Sequence, residues 1–263
     1  MNRSEASNPI TDNISVENVT VLAGEKTLID NVSFKLRRGE LAALLGPNGA
    51  GKTTALRAAL GLQKINSGSA TISGAPVYKL SPMQRARRIA YLPQARPLAW
   101  PNTVSDIVAL GRFSHGAALG NLKGADLEYV DAAILACDIE HLRDRQADTL
   151  SGGELARVHC ARAIAARAPL LIADEPVAAL DPRHQYRVMD LIKAYVASGG
   201  GALVVLHDVA LAAKYADRLI FMKDGRIVRD GKVEETLSAQ NLSDIYGVKA
   251  DVDGRSVVIH GAL

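Results

Sequence analysis

Leu41-Ala42-Ala43-Leu44-Leu45-Gly46-Pro47-Asn48-Gly49-Ala50-Gly51-Lys52-Thr53-Thr54 is the stretch that decides the fold. Its first five residues are all apolar. That marks a strand buried on both faces, since a strand with one wet face alternates. A glycine-rich loop follows at once. From Lys52 to Leu60 the pattern turns helical, and Gly61 stops it. Strand, glycine loop and helix in this order open a parallel α/β sheet. The glycines let successive backbone N–H groups turn inward around anionic oxygens. The helix N-terminus adds a partial positive charge. The spacing from Gly46 to Gly51-Lys52-Thr53 is that of a phosphate-binding loop, or P-loop. On that reading Lys52 reaches the β- and γ-phosphates of a nucleotide, and the Thr53 hydroxyl is a ligand of Mg2+. A merely structural glycine turn leaves both the full spacing and the two flanks unexplained.

Leu170-Leu171-Ile172-Ala173-Asp174-Glu175 is another buried strand, ending in two carboxylates. An acid at the end of a parallel strand near the loop can hold Mg2+, directly or through water. A second acid beside it lies nearer the γ-phosphate and can serve as general base toward an attacking water. An acidic strand end alone is commonplace; joined to the loop it points to nucleotide hydrolysis.

Further out, Ile14, Val16, Val19 and Val21 nearly alternate, which suggests a half-buried strand with one irregularity. Strand signals recur over residues 31–36, 70–73, 88–92, 202–206 and 219–222, and 226–229 would pair across a turn at 223–225. From 103 to about 148 the pattern is helical, read as a helical subdomain inserted over 95–150. The expected fold is therefore α/β: a P-loop NTPase with a mainly parallel sheet core, an N-terminal antiparallel β subdomain and an inserted helical subdomain. One domain spans 1–247. The tail, 248–263, alternates around Asp253 and Gly254, as a hairpin would.

Composition narrows the function. Of 263 residues, 48% are hydrophobic and 22% charged, which excludes disordered and coiled-coil readings. Lys+Arg is 31 against Asp+Glu 28, a surplus too small for a nucleic-acid footprint. The longest stretch without a charged residue or histidine, Ile65 to Tyr78, is 14 residues and rich in Ser and Gly. A transmembrane helix needs roughly 20 mostly apolar residues. Residues 1–13 are polar and read as a disordered leader without the apolar core of a signal peptide. Cys137 and Cys160 sit among apolar residues and read as buried free thiols.

Leu150-Ser151-Gly152-Gly153-Glu154 lies between the loop and Asp174, and here the chain closely resembles the nucleotide-binding subunit of an ABC transporter. The resemblance covers about residues 14–247, with the parts in family order. The loop at 46–53 matches Walker A, and Gln94 in Tyr91-Leu92-Pro93-Gln94 matches the Q-loop. Residues 150–154 match the signature and 170–175 match Walker B. Ala179-Leu180-Asp181 matches the D-loop, and His207 after Val204-Val205-Leu206 matches the switch histidine. The resemblance implies ATP and Mg2+, with Gly46, Pro47, Asn48, Gly49, Ala50, Gly51, Lys52, Thr53 and Thr54 around the phosphates. It implies Thr53, Asp174 and Gln94 at the metal, and Glu175, His207, Lys52 and Gln94 in catalysis. Ser151, Gly152, Gly153 and Asp181 would serve a second copy, paired head to tail. Ser151 to Gly153 also open a helix, whose N–H groups form an anion site in their own right.

The same resemblance implies a separate integral-membrane permease, and indirectly an extracytoplasmic substrate-binding protein. No nucleic-acid partner is expected. The subunit would sit peripherally on the cytoplasmic face of the bacterial inner membrane. The phrases Arg88-Ile89-Ala90-Tyr91-Leu92-Pro93-Gln94, residues 103–112 and Leu180-Asp181-Pro182-Arg183-His184-Gln185 are similar to the ATPases of iron-chelate, haem and cobalamin importers. Metal-ion importers use similar phrases, and an exporter stays open. A soluble ABC ATPase acting on DNA or ribosomes would carry a coiled-coil insertion, a zinc module or a second ATPase unit, none of which is visible. A P-loop kinase would leave 150–154 and His207 unexplained. One departure stands out. Many members place an aromatic ring upstream of the loop to stack on adenine, but Ala23 takes that place, and no Tyr, Phe or Trp occurs before residue 31. Weak adenine grip and poor ATP/GTP discrimination are expected.

Overall fold

The alternation of Ile14, Val16, Val19 and Val21 builds β1 (Asn13–Ala23), which pairs antiparallel with β2 (Lys26–Arg37). The irregularity is a bulge: Val16 pairs with Phe34 but Val19 with Val32, and Asn18 between them has φ 50°. These elements come from a computed structural model that describes residues 13–94, 102–117 and 122–263. The leader expected over 1–13 lies outside the described residues, except that Asn13 already belongs to β1.

The run Leu41 to Leu45 forms β3 (Leu41–Leu45), every residue buried. Its side chains divide between two cores. Leu41, Ala43 and Leu45 face one, while Ala42 and Leu44 face the other. That division is why the run is uniformly apolar. After α1 (Lys52–Ala59) the chain adds β4 (Ser67–Ile72) and β5 (Ala75–Pro76), completing a four-stranded antiparallel sheet in the order β2-β1-β4-β5. The strand expected over 70–73 thus begins three residues earlier. Then come α2 (Pro82–Ala86) and β6 (Ile89–Leu92).

Between β6 and the signature the described residues hold α3 (Val104–Ala109), α4 (Ala125–Ala136) and short 3-10 turns, one of them Leu110–His115. Both helices pack on α5 (Gly152–Ala165). The chain continues through β7 (Leu170–Asp174), α6 (Pro182–Ala197), β8 (Gly201–Val205), α7 (Val209–Tyr215), β9 (Arg218–Lys223) and β10 (Arg226–Lys232). The six-stranded sheet runs β10-β9-β3-β8-β7-β6, all parallel except β10.

One core lies between this sheet and the antiparallel one, with α1 inside it; the other lies under α3 to α7. The two sheets are tied at one side. Arg218 Nη1 donates to Lys35 O at 2.8 Å, while its Nε donates to Asp230 at 2.6 Å. Asp30 N donates to Gly225 O at 2.9 Å, and Gly225 N donates to Ala50 O at 3.2 Å.

After β10 come α8 (Val233–Thr236), α9 (Ala239–Tyr246), β11 (Val248–Asp253) and β12 (Ser256–Ala262). The last two strands form a hairpin whose turn is Gly254 and Arg255, one residue beyond the expected pair. Arg255 reaches back to Glu234 and to the carbonyls of Ala213 and Ala216. The hairpin is thereby held on α7 and α8.

Candidate active site

The parallel strands bring the site together. The loop leaves the C-terminal end of β3, Gln94 follows β6, Asp174 ends β7 and His207 follows β8. Because β3, β8, β7 and β6 are neighbours in register, all four emerge at one sheet edge. This is the edge where open α/β sheets bind ligands.

The loop wraps a cavity of about 350 Å3, lined by Asn48, Gly49, Ala50, Gly51, Lys52, Thr53, Thr54 and Glu175 on one side and by Lys26, Thr27 and Leu28 on the other. Two glycines are required sterically. A Cβ at Gly46 would lie 2.1 Å from Met222 O, and one at Gly51 (φ +96°) 2.6 Å from Ile29 Cγ2. The buried Lys52 amine donates to Gly46 O at 2.7 Å and to Pro47 O at 3.0 Å. Gly46 and Pro47 thus hold the lysine rather than line the cavity. Burial pushes the Lys52 amine below its usual range, and the nearby charges of Glu175 and Asp174 oppose that shift.

Asp174 is 1% exposed. Burial raises its carboxyl above the usual carboxylate range, against the opposing hydrogen bond from Thr53. Thr53 Oγ1 lies 3.4 Å from Asp174 Oδ1. A hydroxyl and a buried carboxylate facing each other are hard oxygen donors, suited to Mg2+, which takes one or two protein oxygens and fills its shell with water and phosphate. The donor set therefore fits the ion. Thr53 and Asp174 would hold it, and the ion would supply charge neutralisation at the phosphates.

Both carboxylate oxygens of Glu175 are engaged. Gln94 Nε2 donates to Oε2 at 2.6 Å, and His207 Nε2 lies 2.6 Å from Oε1. Glu175 takes φ 51°, a left-handed conformation uncommon for this residue type. Such strain concentrates at functional positions, where surrounding structure enforces it. Gln94 therefore stands at Glu175 in this structure rather than at the Thr53–Asp174 pair.

The signature residues stand apart from this cavity in the same chain. Ser151 is the N-cap of α5. Its hydroxyl accepts from Glu154 N at 3.4 Å, and Glu154 Oε2 accepts from Ser151 N at 2.8 Å. That reciprocal bond holds the Glu154 carboxyl below its usual range. Asp181 caps α6 through His184 N at 3.0 Å and meets His184 Nδ1 at 2.8 Å. The His184 backbone bond likewise lowers the Asp181 carboxyl. Gly153 lies against the His184 ring, and Gly152 lies near Leu180. Signature and D-loop thus form one unit.

Three cavity residues, Lys26, Thr27 and Leu28, carry no motif in the sequence that would single them out. Ala23 is exposed at the strand end and does not line the cavity. His184 was also missed; its signal was the Asp181-x-x-His184 spacing of a helix cap. Cys137 and Cys160 are buried and form no disulfide, and burial pushes the Cys137 thiol well up.

Fold and cavity together define a P-loop ATPase. The family model for ABC transporters matches residues 29–178, and the chain belongs to the ABC transporter family, in which ATP hydrolysis is coupled to transport. The chain is 39% identical over 229 residues to a hemin import ATP-binding protein of Thermobifida fusca, covering 87% of this chain and 80% of that one. The hemin import ATP-binding protein of Pseudomonas entomophila is 35% identical over 240 residues, covering 89% and 92%. Among solved structures, a metal-chelate type ABC transporter in an inward-facing conformation matches with TM-score 0.78 and 25% identity over 95% of this chain and 96% of that one. A dimeric bacterial ABC transporter cassette matches with TM-score 0.72 and 28% identity, covering 84% and 98%. No helix among the described residues is long and apolar enough to cross a membrane.

Proposed function

We propose that this chain is the ATP-hydrolysing subunit of a haem importer. Two copies pair head to tail on a separate permease at the cytoplasmic face of the bacterial cell membrane, and an extracytoplasmic binding protein supplies the cargo. The observation that carries the chemistry is Glu175, fixed by Gln94 and His207 beside the loop that holds Lys52. Glu175 accepts a proton from the water that attacks the γ-phosphate. His207 and Gln94 orient that carboxylate, and Lys52 with the loop amides stabilises charge on the phosphates. Thr53 and Asp174 would hold Mg2+, which would supply charge neutralisation at the phosphates.

Pairing is supported by the separation of the two anion sites. The α5 N-terminus does not line its own chain's cavity, which leaves Ser151, Gly152 and Gly153, with Asp181 beside them, to close the cavity of a second copy in this reading. A permease contact is supported by an apolar groove of about 340 Å3 between α2, β6, α5 and the 3-10 turn Leu110–His115. Met83 and Phe113 line it and stay 45% and 64% exposed. Exposed apolar side chains rimming one groove mark a protein interface.

Haem as cargo rests on the hemin import proteins that are 35–40% identical. The test is growth on haem as sole iron source in cells deleted for this chain. Wild type restores growth and Glu175→Gln does not. Growth on haem that survives the deletion removes haem as cargo. If the deletion then fails on a ferric chelate, the metal-chelate reading suggested by the structural neighbour takes its place.

A further inference from the structure

We propose that the chain carries a further anion site, remote from the nucleotide cavity and from the α5 N-terminus, that takes a phosphate group. A cavity of about 480 Å3 opens at the N-terminal edge of the main sheet, opposite the P-loop. Arg38 stands just before β3, Arg88 before β6, Ala168 and Pro169 before β7, and Gly199 and Gly200 before β8. Four arginines from three separate segments line it: Arg38, Arg87, Arg88 and Arg167. Among the described lining residues there is no aspartate or glutamate. The bland alternative is a solvated basic surface. Against it, four positive charges converge here while the whole chain carries a net +3.

The guanidinium groups are also anchored. Arg38 Nε donates to Gly199 O at 2.7 Å, Arg87 Nε to Ser114 O at 2.6 Å and Arg88 Nη1 to Gln84 O at 2.9 Å. Arg167 stacks 4.9 Å from the Tyr129 ring centroid. A guanidinium has five N–H donors, so in Arg87, Arg88 and Arg167 one such contact fixes the plane and leaves donors for a ligand. Arg167 has φ 52°, a conformation that glycine adopts at less cost, yet the position holds a long cation at the cavity mouth. Forks arriving from several elements suit a tetrahedral phosphate, whereas a carboxylate is satisfied by one fork.

Two sources supply that chemistry, a phospholipid headgroup and free inorganic phosphate. The cavity adjoins the apolar groove: Ser114, which accepts from Arg87, and Ala166, which precedes Arg167, both line the groove. The lipid source rests on the permease reading of that groove. The phosphate site itself does not.

The test compares the full-length wild type with two variants, R87Q/R88Q/R167Q and R87K/R88K/R167K. Vesicles of phosphatidylglycerol in phosphatidylcholine are the first probe, with pure phosphatidylcholine as control. Inorganic phosphate measured by calorimetry is the second. ATP hydrolysis and the thermal midpoint confirm that each variant is folded, and both are expected unchanged. The glutamine variant should lose about tenfold or more in affinity for at least one probe, and the lysine variant, with charge but no fork, should lose about fivefold. Loss confined to vesicles identifies a lipid headgroup. Loss confined to inorganic phosphate identifies a soluble ligand. The proposal is overturned if the glutamine variant matches wild type with both probes, if wild type binds neither, or if the lysine variant binds as well as wild type. Growth on haem, scored separately, bears on the importer reading alone.

Discussion

The imidazole of His184 fills the space in which a side chain on Gly153 would begin: a Cβ there would lie 2.3 Å from Cδ2 and 2.5 Å from Cγ. The second glycine of the signature therefore has a packing reason within its own chain, besides any contact with phosphate. Gly153→Ala should destabilise the fold by about 1–3 kcal/mol, the usual cost of overpacking. Gly153→Ala combined with His184→Ala should recover most of that loss. Denaturant titration of the four proteins gives the coupling, expected at about 0.5–3 kcal/mol. A coupling near zero would detach the signature from the D-loop.

Glu175→Gln keeps the size of the side chain and removes its basicity. It should bind ATP as wild type does and hydrolyse it about 10²-fold or more slowly, the scale of general-base catalysis. Single-turnover hydrolysis with separate nucleotide binding resolves the two steps. An undiminished rate removes Glu175 from the role of base.

Asp174 sets stability against function. Its buried carboxyl binds a proton more readily in the folded chain than in the unfolded one. The neutral form is thus favoured by folding, and the stability associated with it is lost as pH rises through the raised value. At neutral pH the buried acid, whose ionised form is disfavoured, costs stability that an amide does not. Asp174→Asn should raise the thermal midpoint at that pH, by about 2–4 °C per kcal/mol, while hydrolysis collapses. Its advantage should shrink toward about pH 4, where the unfolded reference also becomes protonated. Scanning calorimetry at both pH values checks this; a lower midpoint at neutral pH contradicts it.

The side of the cavity opposite the loop is formed by Lys26, Thr27 and Leu28, no aromatic ring is among the described lining residues, and Ala23 is exposed and does not line it. ATP and GTP should therefore bind the free chain within about tenfold of each other, because ring stacking worth about 1–3 kcal/mol is missing. Ala23→Tyr should tighten ATP by about tenfold, again on the stacking scale. Competition of both nucleotides against a fluorescent analogue reads both effects.

What could be read from the chain was local. The P-loop and the Asp174-Glu175 strand end declare themselves, because glycine, lysine and carboxylate spacing carries their chemistry; the signature was legible through its family resemblance. The buried strands β3, β7 and β8 were legible because alternation vanishes when both faces are covered. Their order was not, since β8 between β3 and β7 is a tertiary fact with no local mark. Nor could the left-handed backbone of Glu175 be seen, because neighbours impose it rather than its residue type. Lys26 to Leu28 look like any strand edge, and only the fold brings them to the loop.

The lateral ties described for Arg218, Asp30 and Gly225 have a mechanical consequence. Gly225 joins Asp30 of the antiparallel sheet to Ala50 of the loop through its own carbonyl and amide. Neither sheet can swing away without breaking the bonds that shape the loop. The two layers are therefore coupled through the turn at Gly225, so a disturbance of either sheet is felt at the loop that shapes the nucleotide cavity.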